Sequence, residues 1–246
     1  MSYRPREFWE RRLAEQFDLR GTGETGLSLA YNRACYVLRA EVLARALAAA
    51  RFEPAGASVL DVGCGTGFFV EYYLRRGARV TGVDIAATSV ERLRAGFPQA
   101  SFVLADVSEA EIGGRFDLVN AFDVLYHIVE DARWEAAVRR LGEAVRPGGL
   151  LLVTDTFVAT PPGATHNRMR ALDEYRRVLE PLGFATERTW PTHALLNRDL
   201  GPWRFLNRAP GLLLGIDRAL LALGLGELRV TNRLLVARRG EGRGSR

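Results

Sequence analysis

Cysteine is scarce in this chain: only Cys35 and Cys64 occur in 246 residues. Two thiols cannot build a metal cluster by themselves, and a disulfide framework normally uses more, so both are expected reduced. Long apolar runs are missing as well, with no stretch of the roughly 18 uncharged residues that a membrane-spanning helix needs, so no stable membrane insertion is expected. The opening "MSYRPREFWERR" carries charges where a secretory leader needs its apolar segment, which sets the expectation of a cytoplasmic protein. There is no internal repeat. A dense Lys/Arg stripe with stacking aromatics is also lacking: the net charge is +5, but arginine is scattered and part of the excess sits in "ARRGEGRGSR". Nucleic acid is therefore not expected as a partner.

With 48% hydrophobic and 26% charged residues, the chain can bury the core of one enzyme-sized domain with attachments. Phe8, Trp9, Leu13 and Phe17 recur at helical spacing behind Pro5, and a longer helix is predicted from about Ser28 to Ala50. Short apolar runs then alternate with helical patterns: "SVLDVG", a helix near 67–76, "ARVTGVDI", a helix near 88–96, and "ASFVLADV". "RFDLVNAFDVL" and "LLLVTDTF" flank an amphipathic helix that stops at Pro-Gly-Gly, a helix follows over 171–182, and "FATERTWPTHALL" and "VTNRLLVARR" supply two last strands. This pattern predicts an α/β fold with a doubly wound, mostly parallel seven-stranded sheet. Residues 1–50 form an N-terminal helical cap, 51–238 the main domain, and 239–246 a flexible tail. The Leu-rich block 201–228 is a helical insertion before the last strand, read as a core or capping helix. A membrane-surface or partner-binding role ranks lower because Asp217 and Arg218 break its apolar run.

The chemistry concentrates at "VLDVGCGTGFF", residues 59–69. Parallel strands deliver their C-terminal ends to one edge. Three of those ends carry Asp61, Asp84 and Asp106, spaced 23 and 22 residues apart. A dinucleotide fingerprint requires a third glycine where this chain has Phe68. Asp61 would also repel a pyrophosphate while favouring a ligand with positive charge. An adenosine bearing a cationic amino-acid arm, S-adenosylmethionine, meets both demands. Gly63, Gly65 and Gly67 allow the backbone to approach it, Asp84 accepts from the ribose hydroxyls, Asp106 accepts from the adenine amino group, and Val107 offers a backbone N–H. Cys64, Ile85 and Phe122 complete the expected cofactor contacts.

These segments, together with "VTGVDI", "LADV" and "FDLVNAFDVLYHI", resemble the successive motifs of class I S-adenosylmethionine-dependent methyltransferases over about residues 59–155. The resemblance implies a Rossmann-like methyltransferase fold with strands one and four side by side. It also implies cofactor across the loops after strands one to three and an acceptor over the end of strand four. Where amino-directed DNA methyltransferases carry Asn or Asp followed by Pro-Pro and an aromatic, this chain has Asn120-Ala121-Phe122-Asp123. Neither cysteine is placed to act as the nucleophile of an RNA C5-methyltransferase. A small-molecule acceptor is therefore expected. A helical start after strand four would set Asp123 and His127 on one face, with Tyr126 beside them at the acceptor. His127 is read either as a general base or as a packing residue. His166 and His193, each near a proline, are candidates for a segment folding over the pocket. Arg33 is expected to pair with the cofactor carboxylate and Tyr31 to cover its methionine arm, whereas Tyr36 is expected mainly to pack. Asp123, Asp155 and Asn120 lie near the right edge, but their spacing does not demand a metal, and none is expected. The activity expected is methyl transfer to a small molecule, most of all to a hydroxyl oxygen, of the secondary-metabolite or glycan type. N- or S-methylation, a non-catalytic cofactor-binding protein and a nicotinamide oxidoreductase stand as alternatives.

Overall fold

A computed structural model describes residues 3–160, 166–197, 200–228 and 230–241. The apolar runs become β1 (Ser58–Val62), β2 (Arg79–Asp84), β3 (Ser101–Leu104), β4 (Phe116–Ala121), β5 (Val145–Asp155), β6 (Phe184–Pro191) and β7 (Arg233–Arg239). They form one sheet in the order β3-β2-β1-β4-β5-β7-β6. β1 lies parallel between β2 and β4, so Asp61 is registered against Gly82 on one side and Asn120 on the other. Only β7 runs antiparallel, to both of its neighbours. The expected mostly parallel sheet, with strands one and four adjacent, is the observed one.

Helices cover both faces. On one lie α2 (Leu29–Ala49), α3 (Phe68–Leu74) and α4 (Ala87–Gly96), which bury Leu43, Leu47, Tyr73 and Val90 against the sheet. The other is covered by α5 (Asp131–Ala144) and α6 (Leu172–Leu179), through Trp134, Leu141 and Tyr175. Trp134 and Tyr175 meet edge to face at 4.9 Å, and truncating so buried a Trp to Ala costs about 3–5 kcal/mol. α2 starts at Ser28, whose hydroxyl accepts the Tyr31 N–H, and each such cap contributes about 1 kcal/mol. The remaining helices are α1 (Pro5–Glu15) and α7 (Pro210–Ala222). α7 packs on α2 around Tyr31, Leu38, Leu196 and Leu213, a small third core.

Three boundaries differ from the sequence reading. The Pro-Gly-Gly segment is not a stop: it is a bulge inside β5, with Gly148 at φ +78 and a register shift opposite Phe116 and Leu118. β6 ends at Pro191, because the N–H groups of Ala194, Leu195 and Leu196 donate to the Asp217 carboxylate rather than to a strand. Of the predicted tail, Arg239 still belongs to β7, and residues 242–246 lie outside the described residues.

Candidate active site

β1 ends in a turn built from residues that a side chain would spoil. Gly63 and Gly65 hold φ of +68 and +52, a region costly for other residues. A Cβ on Gly63 would come within 2.2 Å of the Val124 side chain, and one on Gly65 within 2.6 Å of Thr22. The N–H groups of Gly63 and Cys64 both donate to the Val83 carbonyl, which ties the turn to β2. At the end of β2, Asp84 accepts the Gly65 N–H at 2.7 Å on one oxygen and the Ala86 N–H at 2.9 Å on the other. Each oxygen so keeps acceptor capacity toward the cavity it lines.

Asp61 lies deeper, 3% exposed. One of its oxygens accepts from Asn120 Nδ2 at 2.5 Å, while the other has no partner among the described residues. Burial, aided by the nearby Asp84 charge and opposed by the Asn120 bond, pushes this carboxyl up to about 7. An unsatisfied buried acceptor of this kind costs about 1–3 kcal/mol, and a cationic donor placed against it would remove that cost.

The cavity above these residues encloses about 1260 Å³ of empty space, the open solvent at its mouth included. Of the residues proposed from sequence, Asp61, Gly63, Cys64, Gly65, Asp84, Ile85, Asp106, Val107, Phe122, Asp123 and His127 all border it. Asp106 accepts from the Ser108 N–H and hydroxyl and pairs with Arg133 at 2.8 Å. Phe122 meets Phe69 edge to face at 4.7 Å.

Other predicted residues sit elsewhere. Gly67 caps α3, where a Cβ would meet Leu93 rather than a ligand. Tyr31 is fully buried between α2 and α7, and its hydroxyl accepts the Asn197 N–H. Arg33 lies on the exposed side of α2. The Arg of α2 that reaches the cavity is Arg39, two turns on, which pairs with Asp123 at 2.8 Å and is itself buried. Tyr36, expected mainly to pack, also lines the cavity, with its hydroxyl donating to Thr22. His193 is buried away from it, its Nε2–H donating to the Cys35 carbonyl. His166 is exposed and contributes its carbonyl, while Tyr126 lies tilted against His127, ring centroids 4.5 Å apart, without bordering the cavity.

The predicted helical face shared by Asp123 and His127 does not form. Asp123 adopts φ +58, and only a short 3-10 turn, Leu125–His127, follows. Asp123 instead accepts from Thr154 and Asn232 besides Arg39, and these partners overcome burial and hold its carboxyl below the ordinary range. His127 faces the cavity beside Trp9, 5.0 Å between ring centroids. Its Nδ1–H donates to the His166 carbonyl at 3.2 Å, which leaves Nε2 as the basic nitrogen. Burial pushes the imidazole down to about 4, so it is neutral at physiological pH. The candidate metal trio is dispersed: Asn120 bonds Asp61, Asp123 pairs with Arg39, and Asp155 accepts from Tyr175.

A glycine turn after β1, acidic ends on β1 to β3 and an antiparallel seventh strand together define the class I S-adenosylmethionine-dependent methyltransferase fold. Residues 59–149 match the family described as "Methyltransferase domain". Among curated proteins, it is 38% identical over 119 residues to the ubiquinone biosynthesis O-methyltransferase of Xanthomonas axonopodis pv. citri, covering 46% of this chain and 48% of that protein. The enzyme of the same name from Chromobacterium violaceum is 34% identical over 142 residues, covering 52% and 60%. The chain thus spans about half the length of the curated relatives it matches. Among solved structures, magnesium protoporphyrin IX methyltransferase from Synechocystis PCC 6803 with bound SAH superposes with a TM-score of 0.64 at 19% identity. It covers 96% of this chain and 98% of its own. An S-adenosylmethionine-dependent methyltransferase from Mesorhizobium loti gives 0.57 at 22% identity, covering 79% and 96%. At these identities the likeness is one of fold.

Proposed function

We propose that this protein methylates a hydroxyl oxygen of a small, partly apolar molecule, with S-adenosylmethionine as methyl donor, in the cytoplasm and without a nucleic-acid substrate. The observation that carries the reading is the unpartnered Asp61 oxygen at the floor of the cavity, a buried acceptor that suits a cation and repels a pyrophosphate. The names of the curated relatives support oxygen as the acceptor atom.

Within this reading, Asp84 holds the ribose hydroxyls with the acceptor capacity that Gly65 and Ala86 leave it, and Asp61 faces the cationic arm. Asp106 and Val107 flank the adenine beside Ile85. Arg39 takes the carboxylate role first assigned to Arg33. When bound, S-adenosylmethionine supplies a methyl group made electrophilic by its positively charged sulfur. The acceptor is walled by Tyr3, Trp9 and Leu13 from the N-terminal cap and by Ile128 and Val129, all bordering the cavity. Its hydroxyl donates to His127 Nε2. An attacking hydroxyl oxygen gains positive charge and its proton becomes strongly acidic, so even a weakly basic imidazole accepts it at that moment. Residues 1–50 serve as the cap over this site and 51–238 as the domain that builds it.

Calorimetry with S-adenosylhomocysteine and with NAD, followed by turnover of labelled methyl donor against hydroxylated acceptors, tests the proposal. Binding of the first ligand alone and label on oxygen are expected. NAD binding, or label on nitrogen or sulfur only, contradicts it.

A further inference from the structure

The block after β6 carries apolar surface that no described part of the fold covers. Trp203 is 63% exposed and Phe205 56%, and their ring centroids lie 6.0 Å apart on the 3-10 helix Gly201–Arg208. α7 follows at once. Its inner side buries Leu213 and Asp217, while its outer side presents Leu212, Gly215, Ala219 and Ala222 at helical spacing. Leu223, 73% exposed, continues the stripe. The ten steps of helix from Leu212 to Ala222 make it about 15 Å long.

The two charges that break the apolar run in the sequence do not break this stripe. Asp217 is buried and caps the N–H groups of Ala194, Leu195 and Leu196. Arg218 turns to Glu41 of α2, with a contact of 3.0 Å from its Nε. Neither charge therefore interrupts the outward apolar face of α7. Over 201–228 the acidic residues are Asp217, which is buried, and Glu227 at the far end of the block, whereas Arg204 and Arg208 are both exposed and interleaved with the two aromatics. A helix apolar on its outer as well as its inner side, rimmed by arginine and by Trp and Phe, has the composition of an interfacial element.

We propose that this surface docks the protein peripherally on an anionic lipid bilayer, with Trp203, Phe205, Leu212 and Leu223 in the headgroup region and Arg204 and Arg208 on the lipid phosphates. Charge decides between a bilayer and a second copy of the chain. Two-fold self-association would set two positive patches against one another, whereas an anionic leaflet complements them. Among the described residues no helix is long and apolar enough to cross a membrane, so the attachment lies on the surface. This inference stands independently of the acceptor assigned above.

Cosedimentation of the full chain with vesicles tests it, using phosphatidylcholine alone and equal parts of phosphatidylcholine and phosphatidylglycerol. Binding to the anionic vesicles, weakened by salt, is expected. Arg204→Gln and Arg208→Gln each weaken it about fivefold, and the double variant Trp203→Ser/Phe205→Ser weakens it at least tenfold, with the melting temperature of every variant unchanged. Absence of binding to either vesicle overturns the proposal, as does equal binding to both. A lipid-free dimer that the Trp203→Ser/Phe205→Ser variant dissolves overturns it too.

Discussion

Arg39 of α2 and Asp123 at the end of β4 form a buried ion pair 2.8 Å long on the wall of the cavity. The pair joins the N-terminal helices to the catalytic edge of the sheet. Removing one partner leaves the other charge buried and uncompensated, which typically costs about 3–5 kcal/mol. Arg39→Met should lower the urea midpoint accordingly, and adding Asp123→Asn should restore much of the loss, because Asn tolerates the positive φ at that position. A double variant whose loss equals the sum of the losses of Arg39→Met and Asp123→Asn alone would show that the pair is not coupled.

Asp61 makes affinity depend on pH. Its carboxyl is pushed up to about 7 by burial, and a cationic ligand favours the ionised form. Cofactor affinity should therefore rise as pH climbs through 7 and level off above it. Below 7 it should fall by up to about tenfold per pH unit, one proton being released on binding. Calorimetry in buffers of different ionisation enthalpy reads that proton directly.

The same raised value works against the free protein. Between its unfolded and folded values the folded Asp61 binds more protons than the unfolded chain, so stability is lost as pH rises through that window. Asp61→Asn should then stabilise the ligand-free protein at pH 8, by up to a few kcal/mol at ~1.4 kcal/mol per unit. It should at the same time weaken cofactor binding. Thermal melts with and without S-adenosylhomocysteine check both signs together.

What could be read from the sequence was what is local. The period of the apolar runs, the glycine turn and the acidic strand ends each follow from a few neighbouring residues, and all of β1 to β7 came from such patterns. The rest depended on contacts distant in sequence. Arg33 and Arg39 sit on one helix, and only its rotation decides which enters the cavity. The signal was present, since Tyr36, Arg39, Leu43 and Ala46 recur at three and four residues along the buried face. Asp123 broke the expected helix through Thr154, Asn232 and Arg39, all remote partners. Arg133, which pairs with Asp106, and Trp9, which meets His127, carried no local mark.

His127 separates turnover from binding. His127→Ala should reduce kcat by about 10²- to 10⁴-fold while leaving S-adenosylhomocysteine affinity nearly unchanged. Because burial pushes the imidazole down to about 4, the parent enzyme should show no loss of kcat near pH 6.5 from this group. A limb titrating there and vanishing in the variant would mean that the ring is far more basic than its surroundings indicate.

Gly65→Ala should disturb the cap and the cofactor turn together, since the new methyl group would meet Thr22 at 2.6 Å and the φ is +52. A loss of about 1–3 kcal/mol in stability is expected, together with faster proteolysis within residues 16–28.

The most direct measurement is a crystal structure of the complex with S-adenosylhomocysteine. The account predicts both ribose hydroxyls on the Asp84 carboxylate and the ammonium group turned toward the free oxygen of Asp61. An empty cavity at saturating ligand, or a nucleoside held with its ribose away from Asp84, would contradict it.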